Sequence, residues 1–296
     1  MSQPHVFVTR RVPERVRDEL ERSFALDVHN EEFPPARAAL LARAAACDGL
    51  VTMLTDRVDA ELLDAAGPQL QIVANYAVGL DNVDLEECER RGIVVSNTPD
   101  VLTDATAEMT IALMLALTRR VVDGDRFLRR QEAWQWAPTF MQGRGLSCLT
   151  LGIVGYGRIG QAVARLAQAH GMNVVHSMSL DELLGGADII SLHVPLTDHT
   201  HHLIGERELG LMKPTAYLVN TSRGPVVDET ALARALAEGR IAGAALDVFE
   251  REPDVEPALL GLDNVVLVPH LASATHEARE AMGTLCVTAL RGALLP

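Results

Sequence analysis

The chain has few cysteines, no excess of basic residues and no long apolar run. Its four cysteines are scattered, with no C-x-x-C pair. This spacing predicts reduced, buried thiols rather than zinc ligands or disulfides. Its 26 lysines and arginines are outnumbered by 40 aspartates and glutamates, so the formal net charge is −14. Because a negative chain without a basic stretch repels nucleic acid and anionic lipid surfaces, we expect neither as a partner.

Targeting and membrane signals are also missing from the sequence. The N-terminus enters a short apolar strand without the basic region and apolar stretch of a signal peptide, and no apolar run approaches the length of a membrane span. We therefore expect a cytoplasmic protein. What the chain does have is size: 296 residues, of which 48% are hydrophobic, suffice for a large core and favour two domains.

The most informative motif follows a short apolar strand at residues 149–154. Gly155, Gly157 and Gly160 are spaced as G-x-G-x-x-G and lead directly into a helical pattern. The first glycine allows a tight turn, the second lets a pyrophosphate approach the backbone, and the third lets the helix pack closely on the sheet. The N–H groups at the helix start provide an anion site. This context predicts a dinucleotide-binding unit.

Short apolar runs alternate with helical patterns along the whole chain, which indicates an α/β protein with parallel sheets. The last helical pattern, at about residues 275–290, has no sheet left to join except the first. The sequence therefore predicts two doubly wound parallel-sheet domains. A flavodoxin-like substrate-binding domain, residues 1–99 plus 271–296, is split by an inserted Rossmann dinucleotide-binding domain, residues 100–270. We expect the ligand in a cleft between them.

Three side chains suited to keto-acid reduction follow separate predicted strands: Arg223, Glu252 and His270. Because the carboxyl ends of parallel strands meet at one sheet edge, we expect them to converge. A guanidinium can hold a carboxylate and a carbonyl oxygen, an imidazole can exchange the hydroxyl proton, and a carboxylate favours the charged imidazole. Each residue alone is equally typical of a cap, a turn or a structural contact, so the hypothesis depends on their shared location.

Motifs along nearly the whole chain resemble those of the D-isomer-specific 2-hydroxyacid dehydrogenases, especially the glyoxylate/hydroxypyruvate reductase branch. They are NYAVGLDNVD at 75–84, NTP at 97–99, DATAE at 104–108, the glycine motif at 155–160, HVPLT at 193–197, NTSRG at 220–224, LDVFEREP at 246–253, and PH at 269–270 followed by SAT at 273–275. The resemblance implies an oxidoreductase that transfers a hydride between NAD(P)H and a small 2-keto acid, such as glyoxylate or hydroxypyruvate, giving the D-2-hydroxy acid.

The resemblance also implies roles for individual residues. Arg223 would bind and polarise the substrate, Glu252 would partner His270, and His270 would be the acid in reduction. The backbone N–H groups of Val78 and Gly79 would take the substrate carboxylate. It further implies a homodimer and no metal. The implied cofactor-binding residues are Thr106, Gly155, Gly157, Arg158, Ile159, Gly160, Ser177, His193, Pro195, Thr221 and Asp247.

One segment departs from the family pattern. Residues 175–178, at the end of the second strand of the glycine-motif unit, contain neither the acid typical of NAD users nor the arginine typical of NADP users. The following stretch, 177–187, is close to the minimum for a parallel crossover, where relatives carry an extra helix. Either that helix is lost or a segment is missing from the sequence. Ser177 is the type of residue that precedes a phosphate-binding arginine in NADPH-using relatives. The resemblance therefore slightly favours NADP and leaves NAD open.

Other interpretations remain open at this level. A cofactor-sensing, corepressor-like binding protein would share the fold and the Arg, Glu and His set. A dehydrogenase of phosphorylated 2-hydroxy acids would need basic residues near 78–84, where none occurs. The histidine-rich stretch 198–202 favours a solvated turn over a metal site. The aromatic stretch 134–140 predicts a core or dimer contact. The physiological acid is not determined.

Overall fold

The computed structural model describes residues 3–295, which form two compact units. One unit runs to Leu102 and resumes at Thr275, and the other is Thr103–Ala274. These limits lie a few residues after the predicted boundaries at 99 and 270. The reason is local: Thr103 begins a long helix of the second unit, and the Thr275 side chain caps the final helix by accepting the N–H of Ala278.

The first unit is a five-stranded parallel sheet with helices between its strands. Its strand order is β2-β1-β3-β4-β5, the flavodoxin-like order. The residues of β3 and β4 are all buried, as expected for central strands covered on both faces. The elements are β1 (His5–Val8), α1 (Glu14–Glu21), β2 (Ala25–Val28), α2 (Arg37–Ala44), β3 (Gly49–Thr52), α3 (Ala60–Ala66), β4 (Ile72–Asn75), α4 (Leu85–Arg90) and β5 (Val94–Ser96).

The second unit contains a six-stranded parallel sheet in the order β11-β10-β9-β8-β6-β7. Its elements are α5 (Thr103–Thr118), α6 (Val121–Arg129), β6 (Thr150–Val154), α7 (Arg158–Ala169), β7 (Asn173–Val175), α8 (Leu180–Gly186), β8 (Ile189–Leu192), α9 (Glu206–Leu211), β9 (Tyr217–Asn220), α10 (Glu229–Ala237), β10 (Gly243–Leu246), α11 (Pro257–Leu260) and β11 (Val265–Leu267). The last helix, α12 (His276–Leu294), belongs to the first unit. The fold class predicted from the sequence is confirmed.

The connection after β7 contains a helix, α8, although the sequence left open that the helix of this crossover is lost. Ser179 caps α8 by accepting the N–H of Glu182, and the Glu182 carboxylate accepts the N–H of Ser179 in return. In the described part of the chain, only β7 lies beyond β6 at this edge. The common dinucleotide-binding order 3-2-1-4-5-6 has two strands there. The unit is therefore one edge strand short, and α8 closes the shortened connection.

Two smaller predictions also need correction. Cys47, Cys88 and Cys286 are buried free thiols, but Cys148 is exposed, because its short 3₁₀ turn buries Leu146 instead. Of the two alternatives for the aromatic stretch, the core contact is wrong, since Trp136 is 81% exposed, and the dimer contact stays a prediction. No helix among residues 3–295 has the length and apolar character needed to cross a membrane.

Candidate active site

His270 and Glu252 form a hydrogen-bonded pair in the second unit. His270 Nδ1 lies 2.9 Å from Glu252 Oε2 and 3.1 Å from Oε1. Because an ionised carboxylate only accepts, Nδ1 carries a proton and Nε2 is left to face a substrate. Glu252 Oε1 also accepts the N–H of Phe249 at 3.0 Å. Burial opposes ionisation of Glu252, but the hydrogen bond and charge of His270 outweigh it and hold the pKa of Glu252 below its usual range.

Arg223 follows β9 and lies within electrostatic reach of Glu252, since its positive charge also lowers the pKa of that carboxyl. The Arg223 carbonyl accepts an N–H from the Asn220 side chain at 2.9 Å, which fixes the local backbone. The next residue, Gly224, is buried, and a Cβ there would overlap the carbonyl of Phe249. The absence of a side chain at 224 therefore lets the Arg223 and Glu252 segments pack backbone to backbone.

The backbone around His270 is held by Asp247. His270 has a positive φ of 52°, which is uncommon for a residue with a Cβ, and its N–H donates to the Asp247 carbonyl at 2.8 Å. The buried Asp247 carboxylate accepts the N–H groups of Leu271 at 2.5 Å and Ala272 at 3.0 Å. Burial raises the pKa of Asp247 despite these bonds. The sequence predicts a cofactor contact for Asp247, and the structure shows a positioning role that sequence reasoning missed.

The glycine motif has the geometry that a pyrophosphate requires. Gly155 adopts φ 94°, and a Cβ there would lie 2.5 Å from the His193 carbonyl oxygen. A Cβ on Gly160 would overlap the Gly155 carbonyl, so α7 packs closely on the turn. Gly157 faces open space and provides no side-chain cap for α7, which begins at Arg158 and Ile159. The first N–H groups of a helix have no intrahelical partner, so this end suits an anionic diphosphate.

His193, just after β8, contains a buried nitrogen that a bound cofactor would satisfy. Its Nε2 lies 2.9 Å from Ser191 Oγ, whereas Nδ1 is buried and has no partner among the described residues. Burial of the ring lowers the pKa of His193 from 6.5 to about 4, so the imidazole is neutral at pH 7. Pro195, two residues later, is exposed. A neutral imidazole with a free buried nitrogen fits the polar groups of an adenosine.

Two predicted cofactor threonines are linked through a third. Thr110 Oγ1 donates to the Thr106 carbonyl at 2.8 Å and lies 3.0 Å from Thr221 Oγ1. Because the Thr110 proton is engaged, Thr221 is the donor of the second bond. All three residues are buried. This chain of hydrogen bonds ties α5 to the end of β9, immediately before Arg223.

Ser177 lies at the end of the shortened edge and has a positive φ of 58°. Its Oγ is 2.7 Å from His176 Nδ1. The His176 ring stacks on Tyr156, the residue between the first two glycines of the motif, with ring centroids 3.6 Å apart. Sequence reasoning missed Tyr156, because the variable position of a glycine motif gives no signal for a partner twenty residues away.

Val78 and Gly79 lie in the first unit, in the loop that follows β4. The Ala77 carbonyl accepts the N–H of Thr98 at 2.9 Å, and the Val78 carbonyl accepts an N–H from the Asn97 side chain at 2.8 Å. Because a trans peptide directs its N–H opposite its carbonyl, the N–H groups of Val78 and Gly79 both point away from residues 97–98. Two adjacent N–H groups on one side form a cradle for an anion.

Comparison with known proteins places these features in one family. The family described as D-isomer specific 2-hydroxyacid dehydrogenase, NAD binding domain, matches residues 111–272. Glyoxylate reductase from Thermococcus litoralis is 50% identical over 303 aligned positions that cover 95% of this chain and 91% of the relative. Because that alignment is longer than the 296-residue chain, the relative contains residues that this chain lacks.

Solved structures agree with the sequence comparison. NADPH-dependent glyoxylate/hydroxypyruvate reductase from Sinorhizobium meliloti, in complex with NADP and malonate, has a TM-score of 0.84 and 36% identity, covering 98% of this chain and 93% of that one. D-Lactate dehydrogenase from Aquifex aeolicus, complexed with NAD and lactic acid, has a TM-score of 0.83 and 30% identity, covering 97% and 94%. The chain belongs to the D-isomer-specific 2-hydroxyacid dehydrogenase family.

Proposed function

We propose that this oxidoreductase reduces a small 2-keto acid, with glyoxylate and hydroxypyruvate as the substrate class, to the D-2-hydroxy acid with NAD(P)H. The observation that carries the proposal is the bond of 2.9 Å between His270 and Glu252, beside the segment that holds Arg223. An acid, its carboxylate partner and a guanidinium are the groups that ketone reduction needs.

A bound reduced nicotinamide supplies the hydride, and the protein supplies the proton and the orientation. In this mechanism His270 donates its Nε2 proton to the substrate oxygen while the carbonyl carbon is reduced, and the resulting neutral imidazole is reprotonated from solvent. Glu252 stabilises the imidazolium before transfer. Arg223 binds the substrate carboxylate and the oxygen that develops negative charge. We further propose that the N–H groups of Val78 and Gly79 bind the substrate carboxylate.

The residues proposed to bind the cofactor are those that the family resemblance implies. The open backbone at Gly157 and the start of α7 would hold the pyrophosphate, and His193, Pro195 and Ser177 would line the adenosine end. Thr106, Thr221 and Asp247 would contact the cofactor. The absence of an acid at residues 176–178 supports a slight preference for NADP over NAD.

The test is the loss of NADPH or NADH absorbance with glyoxylate and hydroxypyruvate, using the wild type and His270→Asn. Asparagine tolerates a positive φ, so this change removes the acid while preserving the backbone. We expect kcat to fall by about 10²-fold or more, with cofactor affinity retained. Negligible turnover by the wild type would favour a cofactor sensor, and unchanged kcat in the variant would remove His270 from the acid role.

We also propose a cytoplasmic homodimer. Helix α6 has no buried residue, and it exposes Val121 and Leu128. Phe127, on the same helix, packs on Phe140 with centroids 5.6 Å apart, and the exposed Trp136 lies four residues before Phe140 in the chain. An apolar surface of this kind is typical of a subunit contact. Sedimentation should show a dimer that Trp136→Glu dissociates, and a wild-type monomer of 32.0 kDa would contradict the proposal.

A further inference from the structure

Two imidazoles and one carboxylate meet on the second unit, outside the site described above. The ligating atoms of His201, His202 and Glu250 all lie within 4.8 Å of one another. His202 Nε2 is 2.8 Å from Glu250 Oε1, and the two imidazole rings stack with centroids 4.0 Å apart. His202 alone contacts the carboxylate, whereas a donor nitrogen of His201 lies within 4.8 Å of both other donor atoms, so the three groups can converge on one ion.

The turn that carries the histidines is held by its own hydrogen bonds. Thr200 Oγ1 donates to the Pro195 carbonyl at 2.6 Å, and the N–H of His201 donates to the Thr197 carbonyl at 2.9 Å. His202 has a positive φ of 49°, and its N–H donates to the Pro225 carbonyl at 2.8 Å. These bonds fix the backbone from which the His202 ring reaches Glu250.

Glu250 is held as firmly from the other side. Its N–H donates to Oε1 of the buried Glu229 at 2.6 Å. The preceding residue, Phe249, packs its carbonyl on Gly224. The carboxylate therefore projects from a fixed backbone, and small side-chain rotations suffice to bring the three donor atoms around one ion. Preorganisation of this kind reduces the entropy lost on binding.

The donor set selects the class of ion. Zn²⁺ binds imidazole nitrogen and carboxylate oxygen at about 2.0–2.2 Å, often with three protein ligands and one water. Imidazole donors favour Zn²⁺, Cu²⁺ and Ni²⁺ over Mg²⁺ and Ca²⁺, which prefer oxygen. The net charge of −14 adds a general attraction for cations.

We propose that His201, His202 and Glu250 form a binding site for a divalent transition metal ion, with water completing the coordination. The ion would join the turn at 197–202 to the segment that leads from Phe249 to Glu252. This proposal revises the interpretation of the histidine-rich stretch as a solvated turn. It is independent of the proposed catalytic function, because it requires neither cofactor nor substrate.

The experiment is calorimetric titration of the untagged, full-length protein with Zn²⁺ in a buffer that does not chelate metals. All variants carry Cys148→Ser, because Cys148 is an exposed thiol and a competing zinc ligand. The test variants are His201→Gln, His202→Asn and Glu250→Gln, of which asparagine tolerates the positive φ at 202. His199→Gln, an exposed histidine of the same turn outside the cluster, is the matched control.

We expect one Zn²⁺ per chain for the C148S protein and for the His199→Gln control. Each test variant should bind Zn²⁺ about 10-fold more weakly or worse, since loss of outer partners of metal ligands alone costs 10–100-fold. Zn²⁺ should also raise the unfolding temperature of the control more than that of the test variants. Equal affinity in control and test variants, or no saturable binding by the C148S protein, would overturn the proposal.

Discussion

The phenol ring of Tyr156 lies parallel to the imidazole of His176, with their centroids 3.6 Å apart and their planes inclined by 5°. The pair joins the glycine turn to the end of β7, at the edge where the sheet lacks a second outer strand. Ser177 follows directly, and no acid lies at 176–178. The two acids in the first turn of α8 are already engaged, Asp181 with Arg207 and Glu182 with Ser179.

We predict that a single acid at this edge changes the cofactor preference. Ser177→Asp should lower kcat/KM for NADPH by about 10-fold or more and leave NADH much less affected, because a carboxylate repels the 2′-phosphate and binds a ribose hydroxyl. Aspartate and asparagine both tolerate the positive φ of Ser177, so Ser177→Asn is the uncharged control. If both variants changed the ratio equally, charge at 177 would not be the determinant.

Gly224→Ala should disrupt the catalytic segments. A Cβ at 224 would overlap the Phe249 carbonyl, so the Arg223 and Glu252 segments must separate. We expect a loss of about 1–3 kcal/mol in unfolding free energy, and a lower kcat in protein that still folds. Gly210→Ala in α9 is the control, since a Cβ there meets no atom within 4 Å. It should leave kcat unchanged and stability equal or slightly higher. Equal stability of the two variants would contradict the prediction.

Glu252→Gln tests the partner of the acid. Glutamine keeps the size and a hydrogen-bonding oxygen but removes the charge that favours the imidazolium. The kcat for keto-acid reduction should fall by about 10-fold or more, with the affinity for NADPH retained. Glu238→Gln, at the exposed end of α10, should leave kcat unchanged. An unchanged kcat in Glu252→Gln would show that the charge of this carboxylate is not needed by His270.

We expect the buried His193 to make the stability of the cofactor-free protein depend on pH. Because burial lowers its folded pKa to about 4, the unfolded chain binds a proton between pH 6.5 and 4 that the folded chain does not. This residue therefore lowers the unfolding free energy as pH falls through that range, by up to about 3 kcal/mol. Urea unfolding at several pH values should show a flatter dependence for His193→Asn. A parallel dependence in both proteins would exclude a neutral, buried imidazole.

Local signals were sufficient for much of the fold. Alternating apolar and helical patterns predicted the strands of both sheets and the longer helices that pack on them, because each element buries one face at a regular spacing. The same patterns do not indicate α6, α8, α9 or α11. Helices α8, α9 and α11 have only four to seven residues, too few for a clear 3.6-residue pattern. Helix α6 has no buried residue. In α8 the capping box, rather than periodicity, defines the start of the helix.

What the sequence by itself determined is the set of groups and the class of chemistry. The glycine spacing is a local requirement of a strand–turn–helix, and the strand ends before Arg223, Glu252 and His270 follow from parallel topology. Only the tertiary structure decided how these groups are held. The packing of Gly224 on Phe249 and the bonds from Asp247 to Leu271 and Ala272 join segments more than twenty residues apart. Such contacts arise from backbone approach and positive φ, which composition and periodicity do not encode.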